Sequence, residues 1–223
     1  MAPRQAKNKA KEFQINLDPL NEKQRDYLKA ITLNNMVIVL GPAGTGKSYI
    51  AATEAAKLLS SGMINKIVIT RPNVASGQKL GYFSGSMQEK MMHWVMPIID
   101  TLSKHLGAAT VTAALKDGRI ELAPFETMRG RSFENCFVIL DEAQNVSVHE
   151  MKMFLTRVGK NAKVILNGDI MQSDLGKESG LSVAIRLATK YKITVPIVEF
   201  GFDDIVRSDL CKQWIVAFHK EKL

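Results

Sequence analysis

Met36-Val-Ile-Val-Leu40 runs straight into Gly41-Pro-Ala-Gly-Thr-Gly-Lys47-Ser48, and Tyr49-Ile-Ala-Ala-Thr-Glu-Ala-Ala-Lys-Leu-Leu59 follows. The middle eight residues fit G-x-x-x-x-G-K-[ST], a pattern that ordinary residue frequencies generate in about one chain of this length in a hundred. The surroundings argue against chance: an apolar β-branched run leads in and an Ala-rich helical run leads out, the strand–loop–helix order a phosphate-binding loop requires. Without Cβ atoms, Gly41, Gly44 and Gly46 let the backbone curl until successive N–H groups face phosphate oxygens at the positive end of the following helix. Pro42, Ala43 and Thr45 complete the cradle, and Tyr49 borders it. Lys47 brings a point charge to the β and γ phosphates, and the Ser48 hydroxyl is placed to ligate Mg²⁺. ATP and Mg²⁺ are therefore the expected cofactors.

Strand-like and helix-like segments alternate on either side of this loop, which points to an α/β fold with a mainly parallel sheet and helices on both faces. Met36–Leu40, Lys66–Thr70, Cys136–Leu140, Lys163–Leu166 and Ile197–Phe200 have the length and near-continuous hydrophobicity of buried strands, and Arg119–Leu122 is a further candidate. Asn21 with Gln24, and Ser147 with Glu150, have capping-box spacing and mark helix starts. Gly62 and Gly159 read as left-handed helix stops. Met87, Met91, Met92 and Met96 share a helical spacing that suits adaptable packing, and Pro97 is expected to kink or end their helix. No internal repeat or linker is visible.

Phe137-Val-Ile-Leu140 ends in Asp141, as an apolar strand does when it delivers a carboxylate to a magnesium shell. Glu142 comes next, and a second carboxylate there suits the polarisation of a water for in-line attack on the γ phosphate. Small-molecule kinases must exclude water and have no need of that group, so the pair favours hydrolysis.

The chain has 223 residues, 46% of them apolar, enough for one good core. Residues 1–12 read as a basic arm carrying Arg4, Lys7, Lys9 and Lys11, and 13–223 as a single domain. The arm reads equally as a solvated tail or as a grip on RNA or DNA. No run approaches the roughly 18 to 20 apolar residues of a membrane span, and a soluble, cytoplasmic protein with no membrane partner is expected. Cys136 and Cys211 lie outside any metal-ligand spacing and read as small buried apolar residues. The formal net charge of +8 favours a polyanion as partner.

Leu140-Asp-Glu-Ala-Gln-Asn145, Met151-Lys-Met-Phe-Leu-Thr-Arg-Val-Gly159 and Gly168-Asp-Ile-Met-Gln172 resemble the PhoH family, a group of RecA-like ATPases close to the first lobe of superfamily-1 helicases. Thr70-Arg-Pro-Asn-Val74, Lys79-Leu-Gly81, Gln88-Glu-Lys90, Ala123-Pro124, Met128-Arg-Gly-Arg131 and Asp204-Ile-Val-Arg207 add to the likeness, which runs from about Pro19 to the C-terminus. Relatives tend to have His after the late Arg; this chain has Ser208. The resemblance implies a RecA-like P-loop NTPase fold, with Gln24 reading the adenine edge and Gln172 sensing the γ phosphate. It also implies a head-to-tail oligomer, a hexameric ring favoured, because a lone lobe lacks a charge supplied in trans. Arg207 is then a candidate for reaching the γ phosphate across the interface or along its own site. The alternative is a salt bridge to Asp203, Asp204 or Asp209.

Arg71, Arg129 and Arg131 are candidate contacts to RNA or single-stranded DNA, since the guanidinium fork pairs two phosphate oxygens, although such residues also serve intramolecular ion pairs. Two functions stay open. One is an oligomeric, nucleic-acid-dependent ATPase with helicase or translocase activity. The other is a nucleotide-switched regulatory or scaffold module that does not act on nucleic acid.

Overall fold

A computed structural model of the protein describes residues 15–72, 87–175 and 178–221. The basic arm at 1–12 and the stretches Asn73–Val74 and Lys79–Gly81 lie outside the described residues.

Among the described residues six parallel strands form one sheet: β1 (Met36–Leu40), β2 (Lys66–Thr70), β3 (Ile120–Leu122), β4 (Cys136–Leu140), β5 (Lys163–Gly168) and β6 (Ile197–Glu199), in the order β3-β2-β4-β5-β1-β6. The helices are α1 (Glu22–Leu33), α2 (Lys47–Ser60), α3 (Met87–Leu106), α4 (Ala108–Lys116), α5 (Val148–Leu155), α6 (Gly180–Lys190) and α7 (Asp209–Glu221). Strand side chains alternate between two cores. Val37, Val39, Ile67, Ile69, Phe137, Ile139 and Ile165 pack with buried residues of α1, α2, α3 and α4. Ile38, Leu40, Val68, Val138, Leu140, Val164 and Leu166 pack with Phe125, Phe133, Met151, Phe154 and Leu181 on the other face. Both faces being covered explains why the strands read as continuous apolar runs rather than alternating ones.

Ser147 makes the full reciprocal cap: Glu150 N–H donates to its Oγ at 3.3 Å, and its own N–H donates to Glu150 Oε2 at 2.9 Å. At α1 only half the box forms. Asn21 Oδ1 accepts from the Gln24 N–H at 2.8 Å, while the Gln24 side chain turns to the Leu20 N–H and the Thr45 carbonyl.

Of the two outcomes expected at Pro97, the helix does not end there, and α3 continues to Leu106; Pro97 and His93, whose carbonyl loses its partner, are both solvent-exposed, so water can replace the missing bond. Three expectations need correction. Gly159 is not a left-handed stop, because α5 ends at Leu155 and Gly159 has no positive φ. It is needed for close approach instead: its N–H donates to Phe133 O at 2.8 Å, and a Cβ would lie 2.9 Å from that oxygen. Cys136 is buried but Cys211 is exposed. Met91 is buried, whereas Met96 faces solvent. Among the described residues no helix is long and apolar enough to cross a membrane.

Candidate nucleotide-binding site

In a parallel sheet the loops beyond the carboxyl ends of the strands collect at one edge. Here β1 ends in Gly41–Ser48, β4 ends in Asp141 and Glu142, and β5, interposed between them, ends in Asn167, Gly168 and Asp169. Together they floor a cleft of about 670 Å³.

The loop carries positive-φ glycines where its neighbours press close. Gly46 (φ 89) would put a Cβ 2.9 Å from Gln24 Nε2, and Gly44 (φ 84) would put one 2.7 Å from Arg207 Cγ. Lys47 folds over the loop, its Nζ donating to Gly41 O at 2.6 Å and Pro42 O at 2.8 Å. Burial lowers its pKa, against the opposing pull of Asp169, Asp141 and Glu142.

Ser48 Oγ donates to Asp141 Oδ1 at 2.8 Å. Asn167, almost fully buried, reaches both partners with its Nδ2 at 3.4 Å, and its Oδ1 faces the hydroxyl of the enclosed Tyr27 at 3.4 Å. Burial raises the Asp141 pKa and Glu142 adds to the rise, while Ser48, Arg71 and Asn167 pull it down. A hydroxyl and a carboxylate sharing a short contact form a hard oxygen pair that fits Mg²⁺, and the N–H-lined loop beside them fits phosphate.

Glu142 adopts left-handed backbone angles (φ 53, ψ 40), uncommon for a residue with a side chain. Its Oε2 accepts from Gln144 Nε2 at 2.6 Å, and Gln144 Oε1 accepts from the Asp169 N–H at 3.0 Å.

The remaining sequence-derived candidates divide. Gln24, Ala43, Tyr49, Gln172 and Arg207 border the same cleft as Lys47 and Asp141. Gln24 is buried, with its amide engaged by Leu20 N–H and Thr45 O, so in this arrangement it braces the loop. Gln172 lies on a short 3-10 turn, Ile170–Gln172, and is exposed. Arg207 lies against Gly44 of its own loop, and among the described residues it forms no ion pair; Asp203 pairs with Lys212 instead.

Arg71, Arg129 and Arg131 are not gathered into one surface. Arg71 lies beside Asp141 and Glu142. Arg131 pairs with Glu121 at 2.5 Å, and Glu121 also binds Lys66, which starts β2 at the opposite end from Arg71. Arg129 is exposed.

Sequence reasoning missed Asn167, Asp169, Gln144 and Tyr27. For Asn167 a signal existed: a polar residue closing a buried apolar strand, in the same position relative to β5 as Asp141 to β4. Tyr27 gave none, being an ordinary aromatic on an amphipathic helix.

Residues 16–219 match the family model described as PhoH-like protein. This chain belongs to that family. Among its relatives, Protein PhoH of Escherichia coli (strain K12) is 45% identical over 202 residues, covering 89% of this chain and 57% of that protein. A PhoH-like protein of Bacillus subtilis (strain 168) is 42% identical over 200 residues, covering 89% of this chain and 62% of that one. This PhoH-like chain thus spans less than two thirds of the length of those relatives. The large terminase from a thermophilic bacteriophage superposes with a TM-score of 0.59 over 88% of this chain and 50% of its own, at 12% identity, a likeness of fold alone. The PhoH-like chain has the α/β P-loop NTPase fold.

Proposed function

We propose that this chain hydrolyses ATP in a Mg²⁺-dependent reaction. The observation that carries the reading is the 2.8 Å contact between Ser48 Oγ and Asp141 Oδ1, with Glu142 adjoining it. When bound, Mg²⁺ supplies charge neutralisation to the transferring phosphoryl group. Ser48 and Asp141 are the residues that would hold it. Lys47, exchanging its bonds to the loop carbonyls for phosphate oxygens, neutralises them, and the N–H groups of Gly44 to Ser48 hold them in place. Glu142 orients a water and takes its proton as the bond to phosphorus forms, with Gln144 holding the carboxylate.

The reading extends to RNA or single-stranded DNA as activator, in a cytoplasmic protein that assembles head to tail into a ring of favoured hexameric size. Its supports are the +8 net charge, exposed Arg129 and membership of the PhoH-like family. Steady-state phosphate release with and without single-stranded oligonucleotides, across a salt series, tests it. The expected result is turnover that rises with nucleic acid and loses this stimulation as salt displaces the polyanion. Turnover without stimulation at low salt would leave a nucleotide-switched module, and absence of turnover would remove the enzyme.

A further inference from the structure

Arg71 is the first residue after β2, and its guanidinium is anchored from the side: Nη1 donates to the backbone carbonyl of Trp94, on α3, at 2.9 Å. So fixed, Nη1 lies 3.9 Å from Asp141 Oδ2 and Nη2 lies 3.8 Å from Glu142 Oε1. Those separations bring ion-pair attraction but exceed hydrogen-bond length. Arg71 therefore acts on the two carboxylates by charge, while the bond that sets its position comes from α3.

Glu142 is consequently held from two directions. Oε2 carries the short bond from Gln144, and Oε1, which accepts no hydrogen bond among the described residues, faces Arg71. Oε1 is then the oxygen available to a water. α3 also contacts the nucleotide site directly, since Pro97 and Thr101 border the cleft and Val95 and Leu102 pack in the core that includes α2.

We propose that Arg71 is a positioning residue of the ATP site in cis, which aims Glu142 Oε1 and makes that aim depend on the position of α3, rather than a nucleic-acid contact. The proposal rests on the ATPase reading above. Lysine cannot replace it, because a single ammonium lacks the planar fork that spans the Trp94 carbonyl and both carboxylates.

The test uses the two tryptophans, Trp94 and Trp214. In a Trp214→Phe background, emission reports Trp94 alone, and Arg71→Ala and Arg71→Lys are added to it. Without nucleic acid, kcat should fall about 10- to 100-fold in Arg71→Ala, the scale of losing a partner that orients a site residue from behind. KM should stay within about twofold, and added guanidinium ion should restore part of the turnover. The change in Trp94 emission on binding Mg²⁺ with a non-hydrolysable ATP analogue should be present in the background protein and lost in Arg71→Ala, with oligonucleotide affinity unchanged. Should Arg71→Ala fold poorly, Arg71→Lys at unchanged Tm should still show lowered kcat. Unchanged kcat with weakened oligonucleotide binding would make Arg71 a nucleic-acid contact, and an emission change of equal size in both proteins would break the link to α3. If the background protein fails to turn over ATP, the hydrolytic reading falls, and the Trp94 comparison still decides whether Arg71 couples the site to α3.

Discussion

Gln144 Nε2 donates to Glu142 Oε2 at 2.6 Å while its Oε1 accepts from the Asp169 N–H at 3.0 Å, so one buried amide joins the ends of β4 and β5. Gln144 is 1% exposed, so this amide makes both bonds from within the packed interior. The next backbone carbonyl bond, from Ser173 Oγ to Gln144 O at 2.9 Å, adds the segment just beyond the turn that carries Gln172. A carboxylate carried on a left-handed residue, as Glu142 is, benefits from such a support, because its own backbone conformation is disfavoured.

Replacing Gln144 by Ala should therefore lower kcat by about 10- to 100-fold, the range expected from losing a hydrogen bond to a charged group, with nucleotide affinity little changed. Gln144→Glu should be at least as damaging, since it sets a second carboxylate against Glu142. Single-turnover rates and analogue binding measured side by side would check both. A drop in affinity equal to the drop in rate would mean that Gln144 shapes the binding site rather than the base.

Lys47→Ala and Glu142→Gln should separate cleanly. On the proposed reading Lys47 lends its charge to the bound nucleotide in the ground state, so its loss should abolish tight ATP binding. If Glu142 is the proposed base for the attacking water, its amide should keep binding and remove most turnover. Equal hydrolysis by Glu142→Gln and the native protein would exclude it as the base.

The cysteines should react unequally. Burial raises the Cys136 thiol to about 11, leaving almost no thiolate at neutral pH, and the side chain is also sterically closed, whereas Cys211 is exposed. A thiol reagent at about pH 8 should modify one cysteine rapidly, and the second only when the protein unfolds. Two fast thiols would show that β4 opens readily.

The sheet was legible because parallel strands buried on both faces are continuous apolar runs, and β1, β2 and β4 match their predicted ends residue for residue. What local pattern could not supply was distance. Arg71 looks like a loop cation from its neighbours, and only the fold shows that α3 returns a carbonyl to hold it at Asp141 and Glu142. Gln24 likewise sits at a helix start in sequence, yet its amide is spent on Thr45, 21 positions away. Gly159 carried the right residue type for a helix stop, but a parallel bridge between Phe133 and Val158 gives it a different reason to lack a side chain.

Arg207 offers the sharpest choice between a group acting within the subunit and one acting across an interface. The Val206 N–H donates to Gly44 O at 3.0 Å, which pins this segment to the phosphate loop, and the Arg207 side chain lies over the same glycine. A side chain already resting on its own loop has a short path to its own nucleotide, and an always-charged guanidinium there suits bound phosphate. The expected outcome is that Arg207→Ala weakens ATP binding by about tenfold, the lower end of what a charged hydrogen bond contributes, and slows turnover. Mixing it with Glu142→Gln subunits should then recover nothing beyond the sum of the two preparations. If Arg207 instead serves a neighbour, each intact Glu142 of the Arg207→Ala subunits would meet an intact arginine from the Glu142→Gln subunits, and mixed assemblies would regain turnover. Verified subunit exchange is the necessary control, because assemblies that never mix cannot report a trans contact. Full activity of Arg207→Ala by itself would leave the residue a surface cation, with the loop held by the Val206 backbone bond alone.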